Sequence, residues 1–352
     1  MERVGGSRIR VSTPTGAYDI VIEPGLLKQA AALISALRPS ITGVVVVTNV
    51  TLAPLYGVQL AEALGGALVA LPDGEVYKTL ETTAKLYSEF LNARLDRYGL
   101  VIALGGGVVG DTAGFAAATY MRGVRIVQMP TSLLAMVDAS IGGKVGVDLP
   151  QGKNLVGAFK QPEAVWIDTQ VLATLPPREW RCGMAEVIKH GLLADPLLLD
   201  PTLHTLARAP ELVERAARVK VDIVVQDPYE QGVRAYLNLG HTFAHAVEQV
   251  SGYRWLHGEA VGVGLLAAAR LSAALGLCRP GLPEEVDAAL AAASLPRTLD
   301  GMEPAELYAA MATDKKWRAG RARFVLLRDV GQPIVQEDVP QAAVLDVLAS
   351  LG

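Results

Sequence analysis

The sequence predicts an α/β domain with a doubly wound sheet, followed by a mostly α-helical domain. Strand-like and helix-like segments alternate through the first half, and a glycine-rich turn there follows one strand and opens a helix. Beyond Pro176-Pro177 the apolar spacing turns helical. The expected division is therefore residues 1–175 and 176–352.

Composition bounds the answer. At 352 residues the chain is long for one core, and 51% apolar with 19% charged residues argues for two well-filled ones. A net charge of −4 weighs against nucleic acid or an anionic membrane surface as partner. Two cysteines, Cys182 and Cys278, make neither a disulfide framework nor a cysteine-rich zinc site, so a cytoplasmic setting is expected. Residues 1–10 lack the apolar stretch of a signal peptide. The most apolar windows, residues 100–121 and 261–277, carry Asp111 and Arg270 and read as core elements, not membrane spans.

The elements follow in order. Residues 8–13 and 17–22 flank a Pro-Thr-Gly turn and read as a hairpin. Residues 44–48, an unbroken β-branched run, read as a buried parallel strand. A helix over 52–64, a strand over 67–71, a helix over 80–95 and a strand over 100–104 come next, then a helix from about 108 and a strand over 124–129. Residues 131–163 are rich in Gly, Ser, Asp and Lys without periodicity and read as functional loops before a strand over 165–168. Helices are expected over 178–193, 211–225, 242–250, 259–275 and 283–292, with a β-like stretch at 323–327 and a last helix from Gln341.

Gly105-Gly106-Gly107-Val108-Val109-Gly110-Asp111 satisfies G-x-G-x-x-G in the right context for a pyrophosphate at a helix N-terminus. The usual ribose carboxylate is missing, because the next strand ends in Pro130-Thr131, and the strand ending in Thr48-Asn49 is the other place for ribose recognition. The first domain thus reads as Rossmann-like and nucleotide-binding. Gly146–Lys153 only resembles a P-loop: it is one residue too long and Asn154 stands where Ser or Thr should be.

Arg122, Lys144, Lys153 and Lys189 sit among glycines and short polar residues, which suits small anions such as phosphate. The five cations between Lys315 and Arg323 read as a surface run or one more anion ligand. All five histidines, His190, His204, His241, His245 and His257, lie within residues 190–257. His241 and His245 share a helix face at i, i+4, Glu186 and His190 form another such pair, and Glu186, His241 and His257 would make a three-element site. Spacing alone leaves these three metal-binding arrangements open.

Together the motifs resemble those of the 3-dehydroquinate synthase family. The resemblance rests on Met129-Pro-Thr-Ser-Leu-Leu-Ala-Met-Val-Asp-Ala-Ser-Ile-Gly-Gly-Lys144, Gly152-Lys-Asn154, Gln161-Pro162, Ile167-Asp-Thr169, Met184-Ala-Glu-Val-Ile-Lys189, Asn238-Leu-Gly-His241, His257-Gly-Glu-Ala-Val261 and Asp314-Lys-Lys316. It implies a fold with a Rossmann-like NAD domain and a helical metal domain, acting as a homodimer on a small sugar phosphate. It implies Glu186, His241 and His257 as ligands of a divalent metal, zinc first and cobalt second. Asp73, Glu75, Lys78, Gly105, Gly106, Gly107, Asp111, Thr131 and Ser132, with Asn49 at the ribose end, match the dinucleotide segments. Arg122, Asp138, Lys144, Lys189 and His245 would carry the chemistry, and Lys153, Asn154, Arg234, Asn238 and one of Lys315 and Lys316 would hold substrate.

The implied reaction turns 3-deoxy-D-arabino-heptulosonate 7-phosphate into 3-dehydroquinate and phosphate. It runs through transient NAD-dependent oxidation, phosphate elimination, re-reduction, ring opening and aldol closure, with His245 relaying a proton because imidazole titrates near neutrality. Cyclases such as 2-deoxy-scyllo-inosose synthase, a glycerol-dehydrogenase-like oxidoreductase and a nucleotide-sensing binding module are the alternatives. Asn49 replaces a usual carboxylate, which loosens the expected preference for NAD over NADP; Met136 and Asp148 also depart from the pattern and carry no expected role.

Overall fold

The computed structural model describes residues 6–312 and 323–352, and the chain divides into two compact units, Met1–Leu175 and Pro176–Gly352. In the first, β1 (Ser7–Thr13) and β2 (Gly16–Ile22) form the expected hairpin. There follow α1 (Ala30–Ala36), β3 (Val44–Asn49), α2 (Val58–Leu64), β4 (Ala67–Leu71), α3 (Leu80–Asn92), β5 (Leu100–Gly105), α4 (Gly107–Thr119) and β6 (Arg125–Pro130). β7 (Lys144–Leu149), β8 (Gly152–Phe159) and β9 (Ala164–Ile167) complete the unit.

Seven strands lie in the order β1-β2-β9-β6-β5-β3-β4, parallel except for the β1–β2 pair. Alternating residues of the central strands serve opposite faces. Val45, Val47, Val101 and Ala103 pack with Leu86 and Phe90 of α3 and Ala113 and Ala116 of α4. Val46, Leu100, Ile102 and Leu104 pack with Ala30 of α1 and Leu60 of α2. Each fully buried Val, Leu or Ile contributes roughly 1.5–3 kcal/mol, which is why the continuous apolar runs become central strands. From β3 the chain first moves outward to β4, then returns to β5 on the other side. The C-terminal ends of β3 and β5 therefore flank the switch point at which open α/β sheets bind ligands.

One expectation is corrected here. Much of residues 131–163 is not loop: β7 and β8 pair as an antiparallel ribbon. Val145 and Val147 pack on Phe115 of α4, and a Cβ at Gly146 or Gly157 would come within 2.6 Å or 2.5 Å of the facing backbone. Glycines required for close pairing lower strand propensity and hid the ribbon. The helix expected over 52–64 begins as a wider turn at Ala53–Gly57.

The second unit comprises α5 (Pro177–Leu193), α6 (Ala209–Gln226), α7 (His241–Val250), α8 (His257–Ala274), α9 (Leu282–Ala292), α10 (Pro304–Ala312), β10 (Arg323–Leu327), β11 (Pro333–Glu337) and α11 (Gln341–Ala349). α8 is buried almost all round, and glycine lets its neighbours approach. A Cβ on Gly258 would stand 2.2 Å from the carbonyl oxygen of Cys182 in α5 and 2.4 Å from its Cα. A Cβ on Gly264 would stand 2.2 Å from the carbonyl oxygen of Gly240, which precedes α7 in a left-handed conformation (φ +77°). Backbone cannot yield as a side-chain tip can, so these contacts fix α5, α7 and α8 against one another. Arg178 of α5 reinforces the junction, donating to both carboxylate oxygens of Glu259 at 2.7 Å while Glu259 accepts the Leu256 N–H.

Gly258→Ala is expected to lower stability by about 3 kcal/mol, the upper end for overpacking a tight contact. Gly43→Ala, where a Cβ meets nothing within 4 Å, serves as the control and should stay within about 0.5 kcal/mol of the parent. Denaturant unfolding of both variants measures the difference.

Candidate functional site

In the first unit, Gly105 ends β5 and Gly106 and Gly107 lead into α4. The Thr131 N–H donates to the Gly105 carbonyl at 3.0 Å, and the Ser132 hydroxyl, which accepts the Ala135 N–H, faces the bare Cα of Gly106. Asp138 lies half-buried in the turn that Ser132 opens, and its neighbour Ala139 packs toward Gly107. Thr131, Ser132 and the glycine turn are therefore neighbours, and a side chain at Gly105 would collide with Val109.

Asn49 ends β3, and its amide donates to Asp73 Oδ1 at 2.9 Å while the Thr51 hydroxyl donates to Asp73 Oδ2 at 2.7 Å. The carboxylate that Asn49 lacks is thus held beside it by the loop after β4. Lys78 is buried and reaches three elements: its Nζ lies 2.7 Å from Asp111 Oδ2 of α4, donates to Asn154 Oδ1 at 2.7 Å, and lies 3.9 Å from Glu75. Burial alone would lower its pKa, but Asp111 and Glu75 outweigh that and raise it above the ordinary 10.5.

Asp148, which the sequence left without a role, accepts the Asn154 N–H at 2.7 Å, and its own N–H donates to the Lys78 carbonyl at 2.8 Å. It shapes the β7–β8 turn, in which Asn154 is left-handed (φ 53°) and Lys153 lies 4.0 Å from Glu75. Lys144 is exposed at the head of β7 behind two left-handed glycines, Gly142 and Gly143. Arg122 is exposed and left-handed, following the left-handed Met121. Met136 is fully buried, which accounts for its apolar character.

The second unit gathers the histidines. Glu186 sits fully buried in the middle of α5, and its Oε1 lies 3.5 Å from both His241 Nε2, at the start of α7, and His257 Nε2, at the start of α8. One ligand atom of each lies within 4.8 Å of the others. Lys189, buried one turn after Glu186, pairs with Glu186 Oε2. Burial would raise the Glu186 carboxyl, but Lys189 and the two imidazoles hold it well below the usual range.

His241 Nδ1 donates to the Leu239 carbonyl at 3.1 Å; a carbonyl can only accept, so Nε2 keeps its lone pair. His257 Nδ1 lies 3.4 Å from Glu248 Oε1. Burial lowers the His257 pKa, yet the flanking carboxylates Glu186 and Glu248 push it up to about 9. Two imidazole nitrogens and one carboxylate oxygen converging in this way fit zinc or a similar divalent ion.

His245 stands one turn beyond His241, with ring centroids 5.9 Å apart. Arg234 and Asn238 lie on the turn leading into α7: Arg234 is buried and donates to the Pro228 carbonyl, and Asn238 donates to Glu230 at 3.0 Å. Glu248 and Glu259 were missed as contributors, because spacing does not distinguish a buried helix acid from a solvated one. His190 is buried within α5, and half-buried His204 contacts the Leu198 carbonyl. Lys315 and Lys316 lie outside the described residues. Among the described residues no helix is long and apolar enough to cross a membrane.

Sheet, glycine turn and histidine cluster define a class: α/β enzymes with a nucleotide-type sheet in one unit and a divalent-metal donor set in a helical second one. Residues 68–182 match the family model for the 3-dehydroquinate synthase N-terminal domain, and residues 183–317 match that for the 3-dehydroquinate synthase C-terminal domain. The chain belongs to the 3-dehydroquinate synthase family. It is 44% identical over 363 aligned positions to the 3-dehydroquinate synthase of Synechococcus sp., covering 98% of this chain and 99% of the relative.

Among solved structures it resembles a 2-epi-5-epi-valiolone synthase from Streptomyces hygroscopicus subsp. jinggangensis with NAD+ and Zn2+ bound. That match has a TM-score of 0.86 and 30% identity and covers 95% of this chain and 96% of the other. It also shares the fold of a 2-deoxy-scyllo-inosose synthase complexed with carbaglucose-6-phosphate, NAD+ and Co2+. Here the TM-score is 0.89 at 23% identity, covering 98% and 100% of the two chains.

Lys78→Met removes the counter-charge of Asp111 and should lower stability on the order of 2 kcal/mol at pH 7, moderated by the partial exposure of Asp111. Because the folded-state pKa of Lys78 is raised, its contribution is complete below its ordinary 10.5 and is lost as pH rises above that. Unfolding curves at pH 7 and pH 9 should therefore show the same deficit.

Proposed function

We propose that the chain catalyses the conversion of 3-deoxy-D-arabino-heptulosonate 7-phosphate to 3-dehydroquinate and phosphate, as a phosphate-eliminating carbon–oxygen lyase of the shikimate pathway. The observation that carries the reading is the convergence of Glu186 Oε1 on the Nε2 atoms of His241 and His257. When bound, NAD supplies a hydride acceptor that later returns the hydride, and the divalent metal, zinc or cobalt, a Lewis acid for neighbouring hydroxyls.

Glu186, His241 and His257 hold the metal, and Lys189 keeps Glu186 anionic and oriented. Half-buried His245, beside His241, relays the hydroxyl proton during oxidation. Arg122, Lys144, Lys153 and Arg234 provide cations for a substrate bearing both a phosphate and a carboxylate. Asn154 and Asn238 add neutral hydrogen bonds, and Asp138 joins the residues that surround the substrate and carry the chemistry. The substrate phosphate serves as its own base in the elimination, so no further protein base is required.

Gly105–Gly107, Thr131 and Ser132 would hold the NAD pyrophosphate end at the switch point. Asp111, paired with Lys78, and Glu75 belong to the same dinucleotide-contacting set. Asp73, held by Asn49 and Thr51, accepts the ribose hydroxyl and disfavours a 2′-phosphate, which favours NAD over NADP. A cytoplasmic homodimer belongs to the same proposal, and the unpaired thiols of Cys182 and Cys278 suit a reducing compartment.

Supplied with the heptulosonate phosphate, zinc and substoichiometric NAD, the protein should release phosphate and 3-dehydroquinate in equal amounts without net NADH. NADH accumulation on a polyol with no phosphate release would overturn the reading. Asp73→Asn should raise the Kd for NAD on the order of tenfold while sparing stability, the scale of one charge-assisted hydrogen bond. Calorimetric titration with NAD and NADP checks this; an unchanged NAD affinity removes Asp73 from the ribose site.

A further inference from the structure

His241 and His257 present the same atom, Nε2, toward Glu186, but their other ring nitrogens are held differently. His241 uses the backbone carbonyl of Leu239, and its side chain is only 13% exposed. His257 is 34% exposed, stands at the first position of α8, and has the carboxylate of Glu248 at 3.4 Å from its Nδ1. Glu248 lies two helical turns beyond His241, on the same face of α7. One helix therefore carries a ligand and also reaches the back of a ligand on its neighbour.

Glu248 is buried to 2% exposure on a helix whose other buried positions include Phe243, Ala246 and Val247. An acid in that setting forfeits its hydration and would be replaced at little cost by an apolar residue if it only filled space. A carboxylate beside Nδ1 keeps the ring proton on that nitrogen, fixes the ring plane, and strengthens Nε2 as an electron-pair donor.

We infer that Glu248 is a positioning residue for the metal centre, acting through His257. The inference rests on the metal-dependent reading proposed above. It assigns to Glu248 the orientation and donor strength of the more exposed imidazole, and no contact with substrate. Glu248→Gln keeps an oxygen that can accept the Nδ1 proton but removes the negative charge; Glu248→Ala removes both.

The test measures zinc affinity by competition with a chromophoric chelator, on metal-free full-length protein without substrate. Glu248→Gln should weaken zinc binding about tenfold and Glu248→Ala about a hundredfold, the range found for partners behind ligating histidines. The cobalt-loaded Glu248→Ala protein should show altered visible bands, whereas Glu248→Gln should stay near the parent spectrum, since its geometry is retained.

Zinc affinity within about twofold of the parent in Glu248→Gln would overturn the inference, and that variant decides the matter if Glu248→Ala does not fold. A merely structural acid would lower the melting temperature of the metal-free protein but leave affinity and spectrum unchanged. If the parent chain itself binds no zinc, the metal reading fails first, and the parent titration alone shows it.

Discussion

The close approach of three helix backbones organises the second unit. α8 meets α5 at Gly258 and the segment before α7 at Gly264, in both cases at distances that exclude a Cβ. Glu186, His241 and His257 are each anchored within a few residues of one of these contacts, His257 immediately before Gly258 and His241 immediately after Gly240. Their mutual geometry is therefore set by backbone against backbone. Side-chain packing, which can relax by several tenths of an ångström, plays a smaller part. The Arg178–Glu259 pair and the Glu259 bond to the Leu256 N–H then hold the first turn of α8 in place.

The first unit obeys a different constraint. Its parallel strands are buried on both faces, so exposed polar groups gather at the strand ends and in the loops, and the candidate residues lie at the C-terminal ends. β3 contributes Asn49 there, β5 contributes Gly105, and the segment after β6 contributes Thr131 and Ser132. Thr48 ties the two central strands together, its hydroxyl donating to the Leu104 carbonyl at 2.8 Å. The rigidity of the sheet gives the glycine turn a fixed floor.

Much of this was legible in the sequence because periodicity reports burial. The run Val44–Val47 and the strand Leu100–Leu104 were readable as buried strands, and the helices from Arg178 onward differ from the observed ones mainly at their ends. The β7–β8 ribbon was hidden, since the glycines that permit it are the residues that ordinarily signal loop. α1 and α10 were missed as short helices whose stability comes from packing, not from a clear apolar stripe. At the candidate metal centre, spacing left three arrangements open, because α5 and α7 are joined only through tertiary contact. The fold brings Glu186 together with His241 and His257 across three helices. Glu248 illustrates the limit: it was in plain view eight residues after Gly240, and only its neighbour on another helix gives it a role.

The ammonium of Lys78 is shared between Asp111, on the helix that the glycine turn opens, and Asn154, at the tip of the β7–β8 ribbon. Two elements that hold one charge in common are thermodynamically linked. Any event that draws Asp111 away from Lys78 changes how firmly Asn154 is held, and an event at Asn154 acts back on Asp111 through the same free energy. The glycine-turn helix and the ribbon are therefore coupled through one ammonium, and a substitution at Asp111 should be felt at Asn154 and the reverse.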